Sequence, residues 1–302
     1  MIYLKKPQQF TWPLFILFMG SWMGCSLLDQ PEELPVYLHL QPAKVWLDST
    51  RNISAPAGVK DLWIDHNGQT LGVHRLPKVI PILMEEPNRL TFAGGIFENG
   101  LSSIRARYPF WIPQTVNLSA ASLDTIPYTF TFSYYPDTVI TYAFNETFEE
   151  ASTRLSASLS GNNQANLTVS SLESFQGSFS GRVSLGPGAH SFEAIANEFI
   201  ALPQTGTNDI YMEISYKNSI PFSAGVLYIT TNGSAIGDLN HGLVYQSDTW
   251  NTVYIHINDQ VRSIGATALF KPYIRASSLD NSSGEVNSGE IFLDNIRIIH
   301  FR

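Results

Sequence analysis

An all-β chain built as two successive sandwich domains is predicted by three observations. Short stretches that alternate apolar and polar residues recur about every 8–12 residues. Gly, Pro and Asn separate them, the residues that supply turn geometry. No stretch carries a 3.6-residue apolar period over three helical turns, so no long amphipathic helix competes with this reading.

In chain order, the first stretch is of a different kind. Lys5 and Lys6 precede an apolar run, Leu14–Met19, and small residues lead into Gly24-Cys25. A positive segment, a short apolar core and a small residue at the cut are the layout of a secretory signal. The core spans about 10 residues where a bilayer-crossing helix needs about 20. With a cysteine directly after the small residue, residues 1–24 resemble a bacterial lipoprotein signal peptide. That resemblance implies lipidation (palmitate among the acyl groups) at Cys25, although Trp22 and Met23 are bulkier than the usual box. Residues 25–35 then read as a lipidated tether. Ser26 stands where an Asp would mark inner-membrane retention, so the implied location is the outer membrane, on its periplasmic face or at the cell surface. Asp29, Glu32 and Glu33 are similar to the acidic export tags of surface lipoproteins in Bacteroidota.

Removing residues 1–24 from the 302 leaves 278, room for two domains. The net charge of −8 becomes −10 without Lys5 and Lys6, and no basic run offsets it. Such a balance argues against nucleic acid as a partner. Cys25 is the only cysteine, which excludes an internal disulfide or a cysteine-built zinc site.

Residues 36–136 are expected to form an immunoglobulin-like β-sandwich. Val36–Leu40 alternates, Val59–Asp65 follows, and Asn67-Gly68 marks a tight hairpin returning through Gln69–Val73. Arg89–Phe92 and Ile104–Tyr108 read as further strands flanked by turns at Gly94-Gly95 and Asn99-Gly100. Pro127–Tyr135 alternates strictly, with Tyr128, Phe130, Phe132 and Tyr134 on one face.

Residues 137–302 form the second expected domain. Asp209–Tyr216, Val226–Thr230, Thr252–Ile257, Phe270–Ile274 and Glu290–Ile299 read as its strands, while Thr231–His241 reads as a loop. Phe148-Glu149-Glu150, Gly177–Val183, Asp209–Tyr216, Thr249–Val253 and Gly289–Ile296 follow in the order shown by galactose-binding-like jelly rolls. The domain therefore resembles that fold, which includes many carbohydrate-binding modules. The resemblance implies a structural calcium joining the opening and closing strands, held by Glu149 (or Glu150) and Asp294. Oxygen donors of this kind suit calcium.

Sugar rings pack their C–H faces on flat aromatic side chains, which makes Tyr228, Tyr245 and Tyr273 the candidate ligand-binding residues. Asp238 and His241 are candidates for bonding hydroxyls. Trp250, in register before Val253 and Ile255, is expected in the core. The seven histidines show no metal-ligand spacing, and nucleophile-elbow, phosphate-loop and dinucleotide motifs are lacking. Glu285 and Glu290 flank a Gly/Ser/Asn loop and read as solvated rather than as a catalytic pair. The expected protein is non-catalytic: a lipid-anchored outer-membrane protein presenting a jelly roll that binds glycan. The alternative is a structural or assembly component that binds envelope proteins.

Overall fold

Ten strands of the computed structural model make the first sandwich: β1 (Val36–Leu40), β2 (Lys44–Val45), β3 (Asp61–His66), β4 (Gln69–Arg75), β5 (Lys78–Ile82), β6 (Arg89–Phe97), β7 (Arg105–Arg107), β8 (Gln114–Asn117), β9 (Thr125–Tyr128) and β10 (Thr131–Phe132). The structure describes residues 32–45, 59–84, 87–157, 165–233, 236–264, 267–278 and 286–302. The signal segment, Cys25, the tether as far as residue 31, and Glu285 lie outside them. A sheet ordered β5-β1-β9 and a separate two-stranded sheet, β10-β2, share a core with a sheet ordered β4-β3-β6-β7 with β8 also on β6. The expected all-β sandwich is present. Asn67 and Gly68 take φ of 50° and 85°, which closes the β3–β4 hairpin as the Asn-Gly pair requires. Leu38, Leu40, Leu62, Ile64, Phe92, Phe130 and Phe132 fill the space between the sheets with no exposure.

Gly94 and Gly95 do not make the expected turn; they lie inside β6. A Cβ at Gly94 would stand 2.6 Å from the Trp111 ring, and one at Gly95 would stand 2.9 Å from the Trp63 indole. Two tryptophans lying across the strand, one on each side, need bare backbone there.

The second sandwich is a jelly roll of β11 (Ile140–Glu146), β12 (Leu155–Ala157), β13 (Thr168–Ser170), β14 (Ser180–Leu185), β15 (Ser191–Ala196), β16 (Ile210–Asn218), β17 (Phe222–Thr230), β18 (Ile236–Val244), β19 (Ser247–His256), β20 (Ala268–Ser277) and β21 (Gly289–Phe301). A single short helix, α1 (Asn258–Ser263), follows β19 among the described residues. One sheet has six strands, β13-β14-β21-β16-β19 with β11 also on β21, and the other has five, β12-β15-β20-β17-β18. Ile210, Met212 and Ile214 from the first sheet meet Phe222, Val226, Phe270 and Ile274 from the second. The stretch read as a loop before His241 is largely β18. Its cross-strand pairing with β17 overrides the turn character of its Gly and Asn residues.

The outer face of the six-stranded sheet is covered by the first sandwich. Ile140, Tyr211, Tyr254 and Ile299 join the N-terminal core alongside Tyr108, Phe110 and Trp111. At the centre Arg297 Nη1 lies 3.1 Å from Glu213 Oε2, with side-chain exposures of 1% and 2%. A buried ion pair is tolerable only when hydrogen bonds complete it. Here Tyr134 Oη donates to Glu213 Oε1 at 2.9 Å, and Tyr108 Oη donates to the same oxygen. Burial first, and the Glu213 charge second, push both phenols well above their ordinary range, so they remain donors.

A second clasp lies at the rim. Tyr211 Oη donates to Glu98 Oε2 at 2.8 Å, Asn99 N–H to the Tyr254 carbonyl at 2.7 Å, and the His256 N–H to Asn99 Oδ1 at 3.0 Å. The His256 ring stacks on Tyr211 and stands 3.3 Å from Asp209 and 3.7 Å from Glu98. Burial opposes its charge, but those two carboxylates outweigh burial and raise its pKa. A histidine whose folded pKa is raised contributes stability that is complete below about pH 6.5 and is lost as pH rises through the folded value. Urea unfolding from pH 5.5 to 8.5 is therefore expected to show a His256-dependent decline, and His256→Gln should flatten it.

Candidate functional site

With the outer face of the six-stranded sheet occupied, the outer face of the five-stranded sheet is the one that the first sandwich does not cover. Alternation places Phe222, Ala224 and Val226 of β17 in the core and turns Gly225 and Leu227 outward. On β20 the same alternation turns Lys271, Tyr273 and Arg275 outward. Tyr273 is flanked across the sheet by Ile195 on β15 and Gly225 on β17. A Cβ at Gly225 would fall 2.6 Å from Tyr273 Oη and 2.8 Å from Cζ, so the phenol lies flat over bare backbone. Ile195, Leu227 and Tyr273 make a small buried cluster apart from the main core; Tyr273 has no exposure, so its ring does not offer the face to a sugar that the sequence leads one to expect.

Arg275 is the hub of the polar groups around it. Its guanidinium carbon stands 4.1 Å over the Tyr273 ring, Nε donates to Glu193 Oε2 at 2.5 Å, and Nη1 donates to Asp238 Oδ2. Burial would lower the Arg275 pKa, but the two carboxylates outweigh it and the net shift is upward. Burial first and Asp238 second also push the Tyr273 phenol up, which keeps it protonated. One cation held between two anions makes a rigid network whose outward carboxylate lone pairs are acceptors for hydroxyl donors.

Of the residues picked from the sequence, the structure brings Tyr273 and Asp238 together. Tyr228 has the opposite parity to Leu227 and packs against the main core, its ring 2.4 Å from where a Gly237 Cβ would be. Tyr245 is 66% exposed between β18 and β19. His241 is half-buried near the end of β18, and burial pulls its pKa down to about 4, leaving it neutral. Glu193, Gly225 and Arg275 complete the cluster without any sequence motif of their own. The alternation Lys271-Tyr273-Arg275 was a readable signal for the arginine, whereas nothing local marked Glu193. Trp250 is half-buried rather than core: it lies on the opposite side of β19 from Val253 and Ile255, and its ring sits 5.8 Å from Phe175.

Glu149 and Asp294 do converge on one loop. Asp294 Oδ2 accepts the N–H groups of Phe175 and Gln176, and Glu149 Oε1 accepts those of Ser178 and Phe179. Gly177 between them has φ +74° and leaves no room for a Cβ, which would stand 2.3 Å from Glu149 Oε1. Phe148 and Asn295, each next to one of the carboxylates, hold positive φ of 59° and 49°. Strain of this kind concentrates where a side chain must be aimed. Asp294 has no exposure, its Oδ1 has no hydrogen-bond partner, and burial together with the Glu149 charge raises its pKa to about 7. A buried carboxylate with an unused oxygen beside a second carboxylate fits a hard cation such as calcium. No group of three or more His, Cys, Asp or Glu placed to hold a metal occurs among the described residues.

No protein-family model matches the sequence, and no curated protein does. Solved structures similar to the chain include the xylan-binding domain from CBM 22, the x6b domain, at 15% identity, covering 54% of this chain and 96% of that one with a TM-score of 0.33. The CBM22-1 xylan-binding domain of Paenibacillus barcinonensis Xyn10C is 13% identical, covering 53% and 94%, with a TM-score of 0.33. A third comes from work on promiscuous carbohydrate-binding modules of the β-sandwich superfamily; it is 11% identical and covers 89% and 99%, with a TM-score of 0.36.

Proposed function

We propose that this chain is a non-catalytic, lipid-anchored outer-membrane protein that binds polysaccharide on the outer face of its five-stranded sheet. The observation that carries the binding reading is the polar cluster of Arg275, Asp238 and Glu193 above the buried Tyr273 ring, on the sheet face that the first sandwich does not cover. One cation faces two carboxylates there, a balance that disfavours an anionic ligand and offers acceptors to the hydroxyls of an uncharged glycan. The first sandwich acts as a rigid mount, because buried ionic, aromatic and backbone contacts fix it to the other sheet. Anchoring rests on the signal-like segment and Cys25, and mass spectrometry of the membrane-extracted protein tests it. A lipidated N-terminal cysteine is expected, and an uncleaved, unmodified N-terminus would remove the anchor.

Affinity electrophoresis of the full chain in gels containing neutral polysaccharides tests the binding. Retardation by at least one polysaccharide is expected. No retardation by any, with envelope proteins co-purifying instead, would favour the assembly role.

The same proposal assigns a structural calcium to Glu149 and Asp294, where the ion would neutralise the pair and tie β21 to the loop before β14. At a calcium concentration about 100 times Kd, linkage supplies about 2.7 kcal/mol. The melting temperature is expected to fall on adding chelator and to recover with calcium, and Asp294→Ala should abolish the response. An unchanged Tm in the wild type would remove the calcium.

A further inference from the structure

The outer face of the other five-stranded sheet, β4-β3-β6-β7 with β8, is built from a tryptophan and a row of arginines. Leu62 and Ile64 of β3 point into the core with no exposure, so Asp61, Trp63 and Asp65 point out. Register sets Arg75, Asp61, Gly95 and Arg107 side by side across four strands. Residues directly opposite one another in antiparallel strands share a face. Arg105 and Arg89 lie on that face too, two and six residues along β7 and β6 from this row.

Trp63 lies down on the sheet. A Cβ at Gly95 would be 2.9 Å from both its Cδ1 and Nε1. The Arg107 guanidinium stands 5.1 Å from the indole centroid and is fixed by two bonds of 2.7 Å to Asp65. Arg105 stands 5.8 Å from the Phe97 centroid and 3.4 Å from Asp61. The result is a flat ledge of aromatic and guanidinium planes. Trp63 Nε1 is buried in it with no hydrogen-bond partner.

The charge of this face runs against that of the molecule. Four arginines meet two aspartates, in a chain whose net charge is −8. Asp61 and Asp65 are taken by Arg105 and Arg107, while Arg75 and Arg89 are exposed and have no carboxylate partner among the described residues. Screening over about 8 Å at physiological salt lets a ligand sense this face rather than the distant acids. Arginine forks match carboxylates in shape as well as charge. A flat indole–guanidinium ledge accepts the C–H face of a sugar ring.

We propose that this face is a second glycan-binding site, specific for an acidic polysaccharide whose sugar units carry carboxylates. The units lie on Trp63, and their carboxylates are taken by Arg75 and Arg89. It is separate from the uncharged-glycan site built around Arg275 and does not depend on it.

The test titrates the full chain with polygalacturonate, with a neutral polysaccharide and with a phosphorylated glycan. Polygalacturonate is expected to bind, and about 0.5 M NaCl should abolish that binding by screening. Arg75→Gln combined with Arg89→Gln should weaken it about tenfold or more, a loss of about 1.4 kcal/mol. Both arginines are exposed and outside ion pairs among the described residues, so the variant should keep the wild-type Tm. Arg275→Ala should leave polygalacturonate binding unchanged, which separates failure of this site from failure of the other. The proposal is overturned if polygalacturonate does not bind, if the double variant binds it as tightly as the wild type, or if only the phosphorylated glycan binds.

Discussion

Replacing Arg297 by methionine is expected to destabilise the protein by about 3–5 kcal/mol, the usual cost of leaving one member of a buried ion pair uncompensated. Glu213 would keep the two tyrosine hydroxyls as donors but would lose its only cation within 4 Å among the described residues. A fall of about 2–4 °C in Tm per kcal/mol applies to a chain of this size, so the loss is easily read by calorimetry. Arg297→Met with Glu213→Gln removes both charges and should recover part of the loss, since the remaining amide is far cheaper to bury than an unpaired carboxylate. Should the single variant melt with the wild type, the first sandwich would not be held on the six-stranded sheet by this pair.

Arg275→Ala is expected to weaken polysaccharide binding at least about 30-fold, in the range of about 2 kcal/mol seen when a central arginine anchor is lost. The substitution removes the cover over the Tyr273 ring and frees Glu193 and Asp238 to repel each other across the gap. Tyr273→Ala would also open a cavity beside Ile195 and Leu227, so it confounds binding with stability. Tyr273→Phe keeps the ring on Gly225 and removes only the hydroxyl, and should cost less than tenfold. Equal binding by wild type and Arg275→Ala would mean that the glycan sits elsewhere.

The two sandwiches were legible because a period of two residues survives in nearly every strand, and Asn67-Gly68 announced its hairpin. What was lost arose from contacts between strands far apart in sequence. Gly94-Gly95 reads as a turn locally, yet Trp63 and Trp111, from other segments, demand its bare backbone within a strand. The β18 stretch reads as a loop through its glycines and asparagines, but β17 supplies the pairing that makes it a strand. Aromatic content points to Tyr228, Tyr245 and Tyr273 alike; only the register of β17 and β20 shows that Tyr273 lies on the outer side of the sheet, buried beneath Arg275. Trp250 reads as core from its place before Val253 and Ile255, although its even parity sets it on the opposite side of the strand. Glu193 joins Arg275 across 82 residues, a distance at which no local pattern speaks.

The most direct measurement is hydrogen exchange of the full chain with and without a neutral polysaccharide that retards it in affinity gels. The proposed site predicts added protection in β15, β17, β18 and β20, strongest around Tyr273 and Arg275, with none in β16 or β19. Protection confined to other strands, with the five-stranded sheet of the jelly roll unchanged, would contradict it.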